Sequence, residues 1–278
     1  MKNCHELGKP RPTGRYVYGI AEYNNYTNLG EIGINKARVY TISYDDYCAI
    51  VHDCPEEPYQ SSDEEIVKHW IMEHQRVLDL AQEKFTTVIP LGFDNILKCR
   101  NETESPEMAV QNWLKEDLPR IAEIIEKIRG KDEYVIRIYG DLSNMTKAVL
   151  QQSVDIKQIQ EEINSKPSGM AYIHKKKLEK LIKTELETLA NTWFQDFYAQ
   201  IETHAEETII DKNKKTPKEK IMIISVSCLV ERDKINGLGE VLEEINNREG
   251  FSIHFSGPWP PYSFVDKVGK VADDRLRK

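Results

Sequence analysis

The chain of 278 residues is long enough for about two domains of ordinary size. Its 40% apolar content, with four Trp, thirteen Tyr and seven Phe, excludes a disordered protein, which is poorer in such side chains. A formal charge of −8, from 46 acidic against 38 basic residues, argues against a general nucleic-acid binder, because displacing counterions needs a basic face. No apolar run approaches the ~18 residues that span a bilayer, and the start Met1-Lys2-Asn3-Cys4-His5-Glu6 lacks the apolar stretch of a secretory signal. A cytoplasmic protein without lipid-membrane contact is expected.

Residues 1–14 are polar, with two prolines and two glycines, and read as a loose arm. Tyr16–Ile20 is the first predicted strand, followed by extended stretches around Ala37–Ser43 and Tyr47–His52. From Ser62 the period becomes helical. Ser62 is the expected N-cap with Glu65 three residues on, and Ile66, Trp70, His74, Val77, Ala81 and Phe85 share one face. Val88–Leu91 returns to strand character, and a second amphipathic helix is predicted from Pro106 to about Arg129. Its inward residues are Val110, Trp113, Leu114, Ile121, Ile125 and Ile128.

Gly130 punctuates the chain, and the domain boundary is placed there. Glu133–Tyr139 reads as a strand, and residues 143–164 are weakly helical. A long helix is expected from about Tyr172 to Glu207, with Leu178, Ile182, Leu186, Leu189, Trp193, Phe197 and Ile201 as its apolar stripe. A charged turn over Asp211–Lys220 precedes a central strand at Ile221–Val230, apolar on both faces. A short helix to about Arg248 and a last strand, Phe251–Phe255, complete the order, with room for a short strand near Thr208–Asp211. The fold class is therefore α+β in two domains. Residues 15–130 form the first, and residues 131–256 form a ferredoxin-like antiparallel sheet with helices on one face. Residues 257–278 form a proline and aromatic latch followed by a charged tail.

Familiar chemistry is hard to assemble from these residues. His69 and His74 stand five apart, about 140° around a helix, whereas metalloprotease histidines sit at i and i+4. His74 reads as a hydrogen-bonded core residue. Five cysteines at 4, 48, 54, 99 and 228 include no pair at knuckle spacing, and Cys48 and Cys54 in one extended strand are roughly 20 Å apart. Reduced thiols, no metal and no cofactor are expected. Asp45 and Asp46 read as a solvated turn, and Lys175-Lys176-Lys177 as a solvated face. No phosphate loop, nucleophile elbow or dinucleotide fingerprint is present, so no catalytic residue is assigned.

One segment stands apart: Ser256-Gly-Pro-Trp-Pro-Pro-Tyr-Ser-Phe264. Prolines fix φ and remove donors, so Gly257–Pro261 is expected to be a stiff, polyproline-like stretch. Pro258, Trp259, Pro260, Pro261, Tyr262 and Phe264 then form either a latch on the protein's own body or a partner-recognition element. The latch is the preferred reading, with Trp259 buried. The segment resembles the C-terminal signature of the gas vesicle protein F/L family. Weaker landmarks follow in order: Tyr16–Ile20 resembles the family's opening strand, and His74–Leu78 its histidine-bearing helix. Val88–Phe93, with Pro90 and Phe93, resembles its Val-Leu-Pro-Leu-Arg-Phe-Gly stretch, and Gly169–Tyr172 the start of its long helix. Gly92 and Asp94 stand where the family often has Arg and Gly, and Cys228 where an aromatic is common.

The resemblance implies two α+β domains and a non-enzymatic accessory role in building gas vesicles. It further implies association with the vesicle, and binding to the major shell protein, of GvpA type, and to other accessory proteins. A reading from another class is a two-domain enzyme on a ferredoxin-like scaffold. A titratable cluster converging on a concave pocket would favour the enzyme.

Overall fold

A computed structural model describes residues 13–23, 25–165, 168–211, 217 and 219–265, with the side chains at 165 and 168–171 outside that set. The expected arm, most of the charged turn, the charged tail and the surroundings of Gly169 fall outside the described residues. The chain mixes helix and sheet throughout and forms two compact units. One runs to Asp132 and resumes at Trp259; the other is Glu133–Pro258.

The first unit contains β1 (Gly14–Glu22), β2 (Asn28–Gly30), β3 (Val39–Tyr44), β4 (Tyr47–Cys54), α1 (Glu64–Phe85), β5 (Val88–Pro90), β6 (Ile96–Lys98) and α2 (Pro106–Ile128). Its sheet runs β2-β3-β4-β1-β5, and β6 also pairs with β1, all antiparallel. β3 and β4 are joined by the two-residue turn Asp45-Asp46, where Asp45 takes φ 54°; both carboxylates are exposed, as a solvated turn requires. Side chains alternate across a strand. Tyr16 and Tyr18 of β1, with Cys48, Ile50 and Cys54 of β4, pack against Val77, Leu78 and Ala81 of α1. The intervening Val17, Ala49 and Val51 are buried on the opposite side, where α2 contacts β1, β3 and β4.

Asp63, not Ser62, caps α1: its carboxylate accepts the Glu65 N–H at 2.9 Å. An acidic side chain there also meets the positive end of the helix dipole, which favours Asp over a neutral hydroxyl. Ile66, expected inward, lies in the first turn of α1 and is 42% exposed. The six inward residues expected of α2 are all buried, and Ser105 caps it by accepting from Met108 N–H.

The second unit contains β7 (Lys131–Asp141), α3 (Leu142–Gln152), α4 (Val154–Ser165), α5 (Ser168–Glu202), β8 (Glu207–Ile210), β9 (Lys220–Glu231), α6 (Ile235–Asn246) and β10 (Phe251–Trp259). Its sheet order is β10-β7-β9-β8. Phe197 and Ile201 of α5 and Leu238, Leu242 and Ile245 of α6 pack on Ile136, Ile138, Ile224, Val226 and Cys228. The long helix ends at Glu202 rather than Glu207. From Glu206 the backbone is taken by β9, with Glu206 N–H on Leu229 O and Asp211 N–H on Ser225 O, both antiparallel-ladder bonds that a helix forbids. The last strand is longer than expected and runs through Gly257 and Pro258 to Trp259. A proline is tolerated there because β10 lies at the sheet edge.

Candidate functional site

The densest group of titratable side chains lies inside the first unit. Strand alternation puts Tyr16 and Tyr18 on one face of β1 and His52 beside them on β4, in register with Tyr16. α1 supplies His74 from the facing helix. The Tyr16 hydroxyl meets His74 Nδ1 at 2.9 Å, and His74 Nε2 meets the Leu91 carbonyl at 3.1 Å. A carbonyl only accepts, so Nε2 carries the proton and Tyr16 donates to Nδ1. The Tyr16 oxygen then accepts the Asp94 N–H at 3.0 Å. A parallel chain links Ile34 N–H to the Tyr18 oxygen at 3.0 Å, Tyr18 to His52 Nδ1 at 2.8 Å, and His52 Nε2 to the Tyr59 hydroxyl at 2.9 Å. With Tyr18 donating to Nδ1, its proton has an acceptor and Nε2–H donates to Tyr59.

The rings stack as well, Tyr16 on His52 with centroids 4.9 Å apart and Tyr18 on His74 at 5.4 Å. Burial removes water from both imidazoles and holds each pKa down to about 4, so both are neutral at physiological pH. Burial likewise raises both tyrosine hydroxyls far above their ordinary range. Every ring nitrogen of the two histidines is thus committed to a protein partner. The arrangement can hold the α1–β1–β4 layer together, but it leaves no imidazole nitrogen to exchange a proton with a substrate.

Helical spacing puts His74 on the core face. It gives no sign of His52, Tyr18 or Tyr59, although the alternation Cys48, Ile50, His52, Cys54 does place His52 on the core face. His69 is exposed and pairs with Glu73 at 3.4 Å. Among the described residues no three His, Cys, Asp or Glu side chains gather as metal ligands, and Cys48, Cys54, Cys99 and Cys228 are all unpaired thiols. An open cleft of about 400 Å³ lies between the α3–α4 junction and α5, with Asp155, Glu185, Thr188 and Leu189 among its walls. It contains none of the buried titratable groups described above.

The proline and aromatic segment divides in two. Pro260, Pro261 and Phe264 are buried, and Tyr262–Phe264 form a 3-10 turn. Tyr262 packs on the core of the first unit and donates to Gln75 Oε1 of α1 at 3.0 Å. Lys127 of α2 donates to the Phe264 carbonyl at 3.4 Å and sits 5.7 Å from the centre of its ring. The expected polyproline stretch is not formed: Gly257 has φ 136° and Pro261 has ψ 58°, against about +145° for a polyproline ψ. Trp259 also departs from expectation. It is 40% exposed, whereas Phe264 is 5% exposed, because Trp259 still belongs to the edge strand and the chain turns inward only at Pro260. Phe264→Ala is therefore expected to cost about 3 kcal/mol, as for other buried aromatics, and Trp259→Ala clearly less. Urea titration of both variants decides it; a larger loss for Trp259→Ala would overturn this assignment of the anchor.

Pro90 is buried at the end of β5, where it pairs with Gly19, and Phe93 packs half-buried against Tyr16, Tyr59 and His74. Tyr172, near the start of α5 in the second unit, is 64% exposed.

The match to a family model extends over residues 14–266, under the description gas vesicle synthesis protein GvpL/GvpF. The chain belongs to that family. Among curated relatives it is 27% identical to gas vesicle protein L1 of Halobacterium salinarum, covering 92% of each chain. It is 28% identical to gas vesicle protein L of Haloferax mediterranei, over 85% of this chain and 73% of that one. Among solved structures it resembles the gas vesicle protein GvpF of an Anabaena species, at 22% identity and a TM-score of 0.74. That alignment covers 91% of this chain and 98% of the other. The GvpF structure from Microcystis aeruginosa aligns over 91% and 99% at a TM-score of 0.66 and 21% identity. These two likenesses concern the fold.

Membership gives the departures at 92 and 94 a physical meaning. Asp94 has φ 69°, the left-handed region that favours glycine. Its carboxylate accepts the Tyr59 N–H at 2.9 Å, a bond across 35 residues that fixes the side chain in place. A side chain at Gly92 would find open space, its nearest neighbour being Asn95 Nδ2 at 3.9 Å, so an arginine there would project outward without disturbing the core. Cys228 is buried in the second unit's core, where burial pushes its thiol up to about 12.

Proposed function

We propose that this protein is a non-enzymatic accessory factor of gas-vesicle formation that binds the unassembled major shell subunit, of GvpA type, and other accessory proteins, and associates with the vesicle. The observation that carries the reading is the family match across nearly the whole chain. The histidine and tyrosine network supports it, because the most concentrated titratable groups are spent on one another in the core rather than aimed into a cleft. The second unit's order of strand, helices, strand, strand, helix, strand, with sheet order β10-β7-β9-β8, supports a ferredoxin-like reading of that domain. Identities of 25 to 28% with L proteins, against 21 to 24% with F proteins, favour the L type.

A subunit that polymerises into a water-excluding wall needs its apolar surface covered until it joins the shell. Contacts of that kind survive salt, since screening weakens exposed charge pairs far more than apolar burial. Co-expression and pull-down are expected to recover the shell subunit at low salt and at about 0.5 M, where the Debye length is only several ångströms. Deletion of the gene is expected to abolish or malform vesicles while general metabolism continues. Normal vesicles in the deletion strain, with no subunit recovered at either salt, would defeat the proposal.

A further inference from the structure

Residues 260–265 follow the entire second unit in sequence, yet they complete the core of the first. Pro260, Pro261, Phe264 and Val265 are buried, Tyr262 holds Gln75 of α1, and Phe264 is held by Lys127 of α2. One short segment thus reaches both helices of that unit. The second unit in turn brings its own ends together. β7 opens it, β10 closes it, and the two are neighbours in the sheet. At the junction Gly257 lies so close to β7 that a Cβ would stand 2.8 Å from the Glu133 carbonyl oxygen and 2.7 Å from the Tyr134 ring. Phe255, two residues earlier, stacks on Tyr134 at 5.4 Å and 7°.

We propose that residues 260–265 are a closing strap that imposes a folding order: the second unit folds first and delivers the strap, and only then is the first unit completed. The cost of joining two ends across a flexible chain grows with its length. With residues 133–258 unfolded, the strap is tethered through a long loop. Once β10 is zipped beside β7, the strap emerges next to the residues that leave the first unit, and the closure cost has already been met by the sheet. Before docking, α1 near Gln75 lacks Tyr262 and α2 near Lys127 lacks Phe264. A chain interrupted before residue 259 would carry a first unit with an open core.

Pulse-labelling hydrogen exchange during refolding of the full chain tests the order. Amides of β9 and α6 are expected to gain protection before those of α1 and of β1 where it pairs with β5. Phe264→Ser in the full chain is expected to lower native protection around Gln75 and Lys127 at least tenfold and to leave β9 unchanged. Protection of the first unit before or together with β9 would overturn the proposal, as would unchanged protection of α1 and α2 in the variant. If Phe264→Ser does not fold, the wild-type order alone decides, and Tyr262→Phe supplies a milder lesion at the Gln75 contact.

Discussion

At pH 5 the protein is expected to be about 4 kcal/mol less stable than at pH 7.5, with the loss traced to two buried histidines. His52 and His74 have folded pKa values near 4, mainly because burial penalises the imidazolium; an unfolded histidine titrates at 6.5. The folded state therefore binds fewer protons than the unfolded state between those values. The sign follows directly: stability is whole above pH 6.5 and is lost as pH falls through the window toward 4. A shift of this size corresponds to about 2 kcal/mol per histidine at pH 5 and about 3 at pH 4. The neighbours do not reverse the direction. The Leu91 carbonyl pulls His74 upward and Asp53 pulls His52 upward, while His74 and Arg15 push His52 further down. Urea midpoints measured across pH 7.5 to 5 check the expectation, and His74→Gln is expected to remove about half of the slope. A flat profile over that range would mean that the imidazoles are not held neutral by the core.

Gly257→Ala is expected to destabilise the fold by about 4 kcal/mol, far more than a methyl group costs at an ordinary surface position. Two effects add. The residue adopts φ 136°, which side-chain-bearing residues rarely take and which costs about 1–3 kcal/mol when imposed. The new Cβ would also meet backbone, the Glu133 oxygen at 2.8 Å, and the Tyr134 ring at 2.7 Å, so β10 has to move off β7. Overpacking of this kind adds about 1–3 kcal/mol. Gly239→Ala in α6, where an added Cβ meets nothing within 4 Å, serves as the comparison and is expected not to destabilise. Thermal or urea melts that place Gly257→Ala within 1 kcal/mol of the parent would show that the two strands separate without penalty.

Burial follows the sequence period fully in α2 and only in part in α1 and α5, where Ile66 is exposed and Leu178, Ile182, Leu186, Leu189 and Trp193 are half-buried. The face of α2 from Val110 to Ile128 follows from helical spacing alone, since a 3.6-residue repeat of apolar side chains has one efficient way to shed water. The central place of Ile221–Val230 follows equally from its apolar character on both faces, and β9 does lie between β7 and β8. His74 as a bonded core residue follows from its place in the stripe of α1. The Ser256–Phe264 motif, with the weaker landmarks before it, carries the resemblance to the family that the match over residues 14–266 shows.

Partners from distant parts of the chain were decided by the tertiary structure. Tyr16, Tyr18, His52, Tyr59 and His74 come from two strands, a loop and a helix, and a hydrogen bond across 58 residues leaves no local periodicity. The end of α5 was set by a competing ladder with β9, which no intrinsic preference of residues 203–207 reveals. In the latch, composition marks Trp259 and Phe264 alike as large aromatics seeking burial. Which of them is buried depends on where the edge strand stops and the chain turns inward, and that is fixed by Gly257 against β7 and by the surface that α1 and α2 offer to Tyr262 and Phe264.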